Sequence, residues 1–371
     1  MLDKKTKFKL SNMDTGNLFF PNPDEFMKSL GFNVSPRSKI KKFAKESSIE
    51  IEISDRSLDS LLKRGISLKL ARKLFRNLSK SDFFKWIRRN VNVGNLPKNC
   101  WDNGKFWLIS LELTMLLSDE FDFLPFERFL TKRHEQNQTV VMWLENNKKM
   151  PQTEREQIAW LLEHYGIVLP LTSLEASRHE TIKQALEEIV KAEFQGVDVF
   201  DIPNQEIQDI VLIQYDFHLS MLAAFDLSIC SLESGDYCSF FSEIMKREGN
   251  CYFAKYLGWF IDLTNSTQYE LGICVPVNYK DTGSGRTLEQ VQRETLKDWM
   301  KGKTKPTWQT LERFFEKKLP SCDDVFYFQV IAWVCIGMDK LVGKNVRQEK
   351  LLRDMFDTHY LDYFNKIKQL Q

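Results

Sequence analysis

Glycine and proline are scarce in this chain, at 16 and 11 of 371 residues. A protein of many short strands needs a turn roughly every 8–12 residues, and such turns draw on those two residues. An all-β architecture is therefore excluded. Cysteine is present seven times (Cys100, Cys230, Cys238, Cys251, Cys274, Cys322, Cys335), an odd number with no CxxC pair. A disulfide framework and a CxxC zinc site are both excluded, and buried free thiols in a reducing compartment are expected. The five histidines are dispersed, without HExxH, so no metal is expected. Long apolar runs are missing as well. The most apolar stretch, Phe326 to Met338, is interrupted by Gln329 and reads as a core helix too short to span a bilayer. The first residues are charged and lack an apolar signal-peptide core. A soluble, cytoplasmic protein with no membrane partner is the expectation.

Local signatures of catalysis are absent too. Gly283-Ser-Gly-Arg286 lacks the Gly-Lys-Ser/Thr ending of a phosphate loop and reads as a turn. Asp14-Thr-Gly16 and Asp281-Thr-Gly-Ser284 are the tripeptides of aspartic-protease lobes, but that chemistry needs each Asp at the end of a buried strand. Their context is helical, and the reading fails. No cofactor is implied. A site assembled from dispersed carboxylates leaves no local mark, so the question of an enzyme stays open and leans towards no.

What the chain does have is apolar content and segregated charge. Hydrophobic residues make up 43% and aromatic residues 13%, ample for packed cores in two or three domains. The class predicted is mainly α, a multi-domain helical protein with at most minor β. Candidate short strands are Ile49–Ser54, which alternates strictly, and Leu271–Val277. The turn-rich run from Asn90 to Asn103 marks the first boundary. The expected division is a basic N-terminal helical domain with an irregular arm (1–98), a helical domain (104–200) and an acidic helical C-terminal domain (201–371).

The overall charge of +1 hides an asymmetry. Residues 1–100 carry 22 Lys+Arg against 10 Asp+Glu, so the remainder is strongly acidic. Within 68–80 the apolar residues Leu70, Ala71, Leu74, Phe75 and Leu78 share one arc of a helix. Lys69, Arg72, Lys73, Arg76 and Lys80 fall on the opposite arc, and Lys85, Arg88 and Arg89 continue the series. Such a face can follow a phosphate backbone, giving affinity and salt dependence with little sequence reading. The predicted phosphate-holding residues are Lys69, Arg72, Lys73, Arg76, Lys80, Arg88 and Arg89.

Trp299-Met-Lys-Gly-Lys-Thr-Lys-Pro306 resembles the Trp-x-x-Gly-Lys-x-x-Pro signature of phage-repressor (Xre-like) helix-turn-helix domains. The resemblance covers about 286–318. It implies a supporting helix at Arg286–Arg293 and a DNA-reading helix at Thr295–Lys301, followed by a basic turn that touches phosphate. The almost absent gap between those two helices departs from the family pattern. Lys297, Lys301, Lys303 and Lys305 form the second expected contact zone. Met142 to Pro151 echoes the same pattern, and residues 126–165 resemble the family more faintly.

Two functional readings remain. The first is non-catalytic nucleic-acid binding, as a regulator or a subunit of a nucleic-acid-handling complex, with DNA favoured over RNA. The second is a helical scaffold or adaptor whose basic patch docks on an acidic protein partner, with a homo-oligomer also allowed.

Overall fold

The computed structural model describes residues 124–147, 162–166, 169, 172, 174, 176–194, 204–230, 238–279, 285–320, 325–343 and 349–370, with isolated positions before 124. Among these the protein is mainly helical. Strand structure among them is confined to β1 (Lys7–Phe8) and β2 (Ile66–Ser67), paired antiparallel with Lys7 opposite Ser67. The expected boundaries near 98–104 and at 200 lie outside the described residues, as does the strand expected over Ile49–Ser54 except for Ser54 itself, which is exposed and in no strand.

The chain divides into two units. One comprises 1–25, 33–123 and 130–194; the other comprises 26–32, 124–129 and 195–371. Helix α1 (Leu124–Asn147) begins with Pro125 in its first turn, where a missing N–H costs nothing. In the first unit, a 3-10 turn (Ala176–Arg178) leads into α2 (His179–Phe194), which buries Ile182, Ala185 and Leu186 at helical spacing.

The second unit is organised by two long helices that pack along one another, α3 (Asn204–Cys230) and α10 (Glu349–Lys368). Helix α10 buries Leu352, Met355, Phe356, Tyr360, Tyr363, Phe364 and Ile367, a stripe at spacings of three and four. Each fully buried Leu or Phe contributes about 1.5–3 kcal/mol, so this stripe outweighs anything on the surface. Between them in sequence lie α4 (Phe240–Met245), α5 (Tyr252–Leu263), α6 (Gln268–Gly272), α7 (Leu288–Met300), α8 (Trp308–Lys318) and α9 (Val325–Val342).

Helices α5, α7, α8 and α9 share an aromatic core. Phe260 meets Phe315 at 5.3 Å and Phe328 at 5.4 Å, edge to face, and Tyr256 lies against Phe253, Trp259 and Phe260. Helix α9 is 18 residues long, and by length and apolarity it is long enough to cross a membrane. It exceeds the 13-residue run read from the sequence because Val325 and the segment up to Val342 extend the helix at both ends. Here it packs in the core, burying Ile331, Ala332, Cys335, Ile336 and Met338 together with the polar Gln329 and Asp339.

Two buried carboxylates tie these helices together. Asp226, on α3, accepts from Ser239 Oγ (2.5 Å), Tyr360 OH (2.7 Å) and the backbone N–H groups of Phe240 (2.9 Å) and Phe241 (3.3 Å). It thereby caps α4 and anchors α10. Asp339, on α9, accepts from the N–H groups of Tyr252 (2.7 Å) and Phe253 (3.1 Å), the first residues of α5. Both use the orphan donors that every helix N-terminus presents.

The segment Leu271–Val277 is not a strand. A capping box, in which Thr267 and Glu270 each satisfy the other's backbone N–H, starts α6 at Gln268. The chain then turns through Cys274 N–H to Leu271 O (3.1 Å) and Val275 N–H to Gly272 O (3.0 Å). Local capping overrides the β propensity of the isoleucine and valines.

Candidate nucleic-acid interface

Helix α7 begins at a second capping box, Thr287 with Gln290. Its buried residues Gln292, Leu296 and Trp299 follow a spacing of four and three, so one narrow stripe faces the core. Trp299 is 3% exposed and lies between Phe253 (6.1 Å) and Phe314 (5.8 Å). Gln292 Nε2 donates to Val275 O at 2.8 Å, which fixes α7 to the turn after α6. Glu289, Gln290, Glu294 and Lys297 face solvent.

The supporting and reading helices expected at Arg286–Arg293 and Thr295–Lys301 lie on this single helix. Thr295, the residue that would have to cap a separate reading helix, instead donates from Oγ1 to Val291 O at 2.8 Å. That back-bond belongs to a helix interior. No Gly or Pro interrupts 288–300.

The end of α7 is a Schellman turn. Gly302 takes φ +70°, its N–H bonds Trp299 O (3.0 Å), and Lys303 N–H bonds Asp298 O (2.9 Å). A β-carbon on Gly302 would stand 3.3 Å from Cys251 Sγ, so the turn sits closely on the residue before α5. Pro306 is buried, and Thr307 Oγ1 accepts from Thr310 N–H (3.2 Å) to cap α8. The motif Trp-Met-Lys-Gly-Lys-Thr-Lys-Pro is thus a rigid connection between two helices, held at Trp299, Gly302 and Pro306.

The cations of this zone divide into two kinds. Lys297 and Lys301 are exposed, and neither has an ion-pair partner among the described residues. Lys303 is exposed and lies 3.7 Å from Asp298 Oδ1. Lys305 is only 28% exposed, with Nζ 4.0 Å from the buried Asp339 Oδ2. The acids nearby are engaged: Glu294 pairs with Arg286 at 3.2 Å, and Glu289 accepts from Tyr269 OH at 3.2 Å. Arg293 lies over the Tyr269 ring at 5.1 Å, a contact invisible from sequence separation alone.

Of the N-terminal cations, Lys69 and Arg76 are in helical conformation and exposed. Arg72, Lys73, Lys80, Arg88 and Arg89 lie outside the described residues. The turn of the first echo, Lys148 to Pro151, does so as well.

Burial governs the titration of the thiols around this zone. It pushes Cys251 up to about 11, assisted by the Asp339 charge, and raises Cys335 strongly. Neither is poised as a nucleophile. Among the described residues no cluster of His, Cys, Asp and Glu is arranged to hold a metal ion. What sequence reading passed over is Asp339, although a lone acid in the apolar run Ile331–Val342 was the available signal. The chain matches no protein-family model, no curated protein and no solved structure.

Proposed function

We propose that this chain is a non-catalytic, cytoplasmic nucleic-acid-binding protein, acting as a regulator or a subunit of a nucleic-acid-handling complex. The observation that carries the reading is the pair Lys297 and Lys301: exposed, one helical turn apart, without an ion-pair partner among the described residues, and fixed on a helix end buttressed by Trp299 and Gly302. Cations in that setting meet phosphate without first breaking an ion pair. The α8 N-terminus, which begins directly after the turn, adds a favourable dipole for anions. With α7 in one piece, the two helices that the basic turn joins within 286–318 are α7 and α8, and we assign the DNA contact to this helix-turn-helix-like element. Duplex DNA is then the favoured ligand. The basic residues Lys69, Arg72, Lys73, Arg76, Lys80, Arg88 and Arg89 supply further phosphate contacts.

The test is fluorescence anisotropy with labelled duplex DNA, single-stranded DNA and RNA at two salt concentrations. Affinity should fall by roughly 10³-fold or more between about 50 and 200 mM salt if six or more phosphates are neutralised. Lys297→Glu with Lys301→Glu should remove most of it. A salt-insensitive interaction, or none, overturns the reading.

One observation favours the adaptor reading. Tyr269 and Leu288 are both nearly half exposed at the start of α6 and α7, apolar surface that suits a protein partner with acidic residues around it. In that case unrelated DNA in excess leaves the protein complex intact.

A further inference from the structure

We propose that Asp339 is the positioning residue of the basic turn, and that it withdraws Lys305 from the cations offered to nucleic acid. The inference rests on the nucleic-acid reading above and deepens it.

The Asp339 side chain is completely buried. Its Oδ1 accepts from Tyr252 N–H (2.7 Å) and Arg353 Nη1 (3.1 Å); its Oδ2 accepts from Phe253 N–H (3.1 Å) and faces Lys305 Nζ at 4.0 Å. Arg353 in turn donates from Nη2 to Glu349 at 2.8 Å. Two acids and two cations therefore form a neutral cluster. A buried carboxylate needs such compensation, because losing a partner leaves its charge uncompensated in a poorly solvated place. Lys305 is spoken for in a way that Lys301 is not.

The turn consequently has two anchors on the same spot of the fold. Gly302 abuts Cys251, and Lys305 reaches the carboxylate that caps Tyr252 and Phe253. Between the anchors the chain presents Lys303 and Thr304 to solvent, with Lys301 exposed just before them. The burial pattern separates the lysines by role: Lys297, Lys301 and Lys303 point outward, whereas Lys305 fastens the turn. Lys340, next to Asp339, is lowered in pKa first by its own burial and then by the Lys305 charge, consistent with a cation held inward. Four lysines near one turn thus reduce to three on the surface, of which Lys303 shares its charge with the solvent-accessible Asp298 at 3.7 Å, whereas Lys305 faces a fully buried carboxylate.

Two measurements on the full chain test this. Lysine acetylation with an N-hydroxysuccinimide ester, read by peptide mass spectrometry, needs no nucleic acid. Lys305 should react several-fold more slowly than Lys301, and Asp339→Asn should bring the two rates together. The second is the salt slope of binding to a labelled random-sequence duplex. Lys301→Ala should lower the slope by about 0.9, the value for one lost phosphate contact. Lys305→Ala should weaken binding at every salt concentration and leave the slope unchanged, since a positioning role adds no counterion release. Lys305→Ala keeps the test alive if Asp339→Asn does not fold. Equal acetylation of Lys305 and Lys301, or equal slope losses in the two alanine variants, overturns this inference alone. Absence of any duplex binding removes the functional reading and this inference together.

Discussion

Asp226 carries no cation among its described partners, and this makes its charge a measurable liability. Five donors surround it if the longer Cys230 Sγ contact at 3.8 Å is counted with the four that cap α4 and anchor α10. These hydrogen bonds favour the ionised form. Complete burial disfavours it and is the larger effect, so the carboxyl is raised from 3.8 to about 6. Because the folded-state value lies above the unfolded one, the folded protein binds this proton more tightly. Its contribution to stability is therefore fully present below pH 3.8 and is lost as pH rises through 6. A shift of that size corresponds to about 3 kcal/mol in total, of which about 2 kcal/mol falls between pH 4 and pH 7. Asp226→Asn keeps the side-chain shape and cannot ionise. The assay is urea unfolding of both proteins across that interval, followed by circular dichroism. The stability of the native chain relative to Asp226→Asn should decline by about 2 kcal/mol from pH 4 to pH 7. A difference that stays flat would refute the reasoning, because it would mean that the donors fully offset the desolvation.

Three further outcomes follow from the packing. Trp299→Ala removes a buried indole between Phe253 and Phe314 and should cost about 3–5 kcal/mol in denaturant unfolding. Gly302→Ala forces a side chain into φ +70° and against Cys251 Sγ; it should cost about 1–2 kcal/mol, read as a lower thermal midpoint. Cys238 is exposed while Cys230, Cys251, Cys274 and Cys335 are buried, so iodoacetamide should label Cys238 first among these five, as followed by peptide mass spectrometry.

Several elements were legible in the sequence because their determinants are local. Thr287 and Gln290 announce the start of α7, Gly302 its end, and Pro306 with Thr307 the start of α8. The helical class followed from composition and periodicity in the same way. The continuity of α7 rests on propensities with no break over 288–300, whereas the repressor-like motif marks only where that helix ends. The strand expected at Leu271–Val277 failed because the capping box at Thr267 outweighs the β-branched residues beyond it. The role of Asp339 is a different matter. Its partners lie 86 and 87 residues upstream and 14 downstream, and no spacing rule connects them. The stacking of Arg293 on Tyr269 is equally a product of tertiary packing.

The cap of α5 by a residue on α9 limits how this protein can be dissected. A fragment ending at Lys318 would keep the whole Trp299–Pro306 motif, yet it would strip the first turn of α5 of its acceptor and Lys305 of its counter-ion. Such a piece would be a damaged substitute for the native surface, so minimal fragments for interaction screening should extend through Asp339 and, to retain Arg353, into α10.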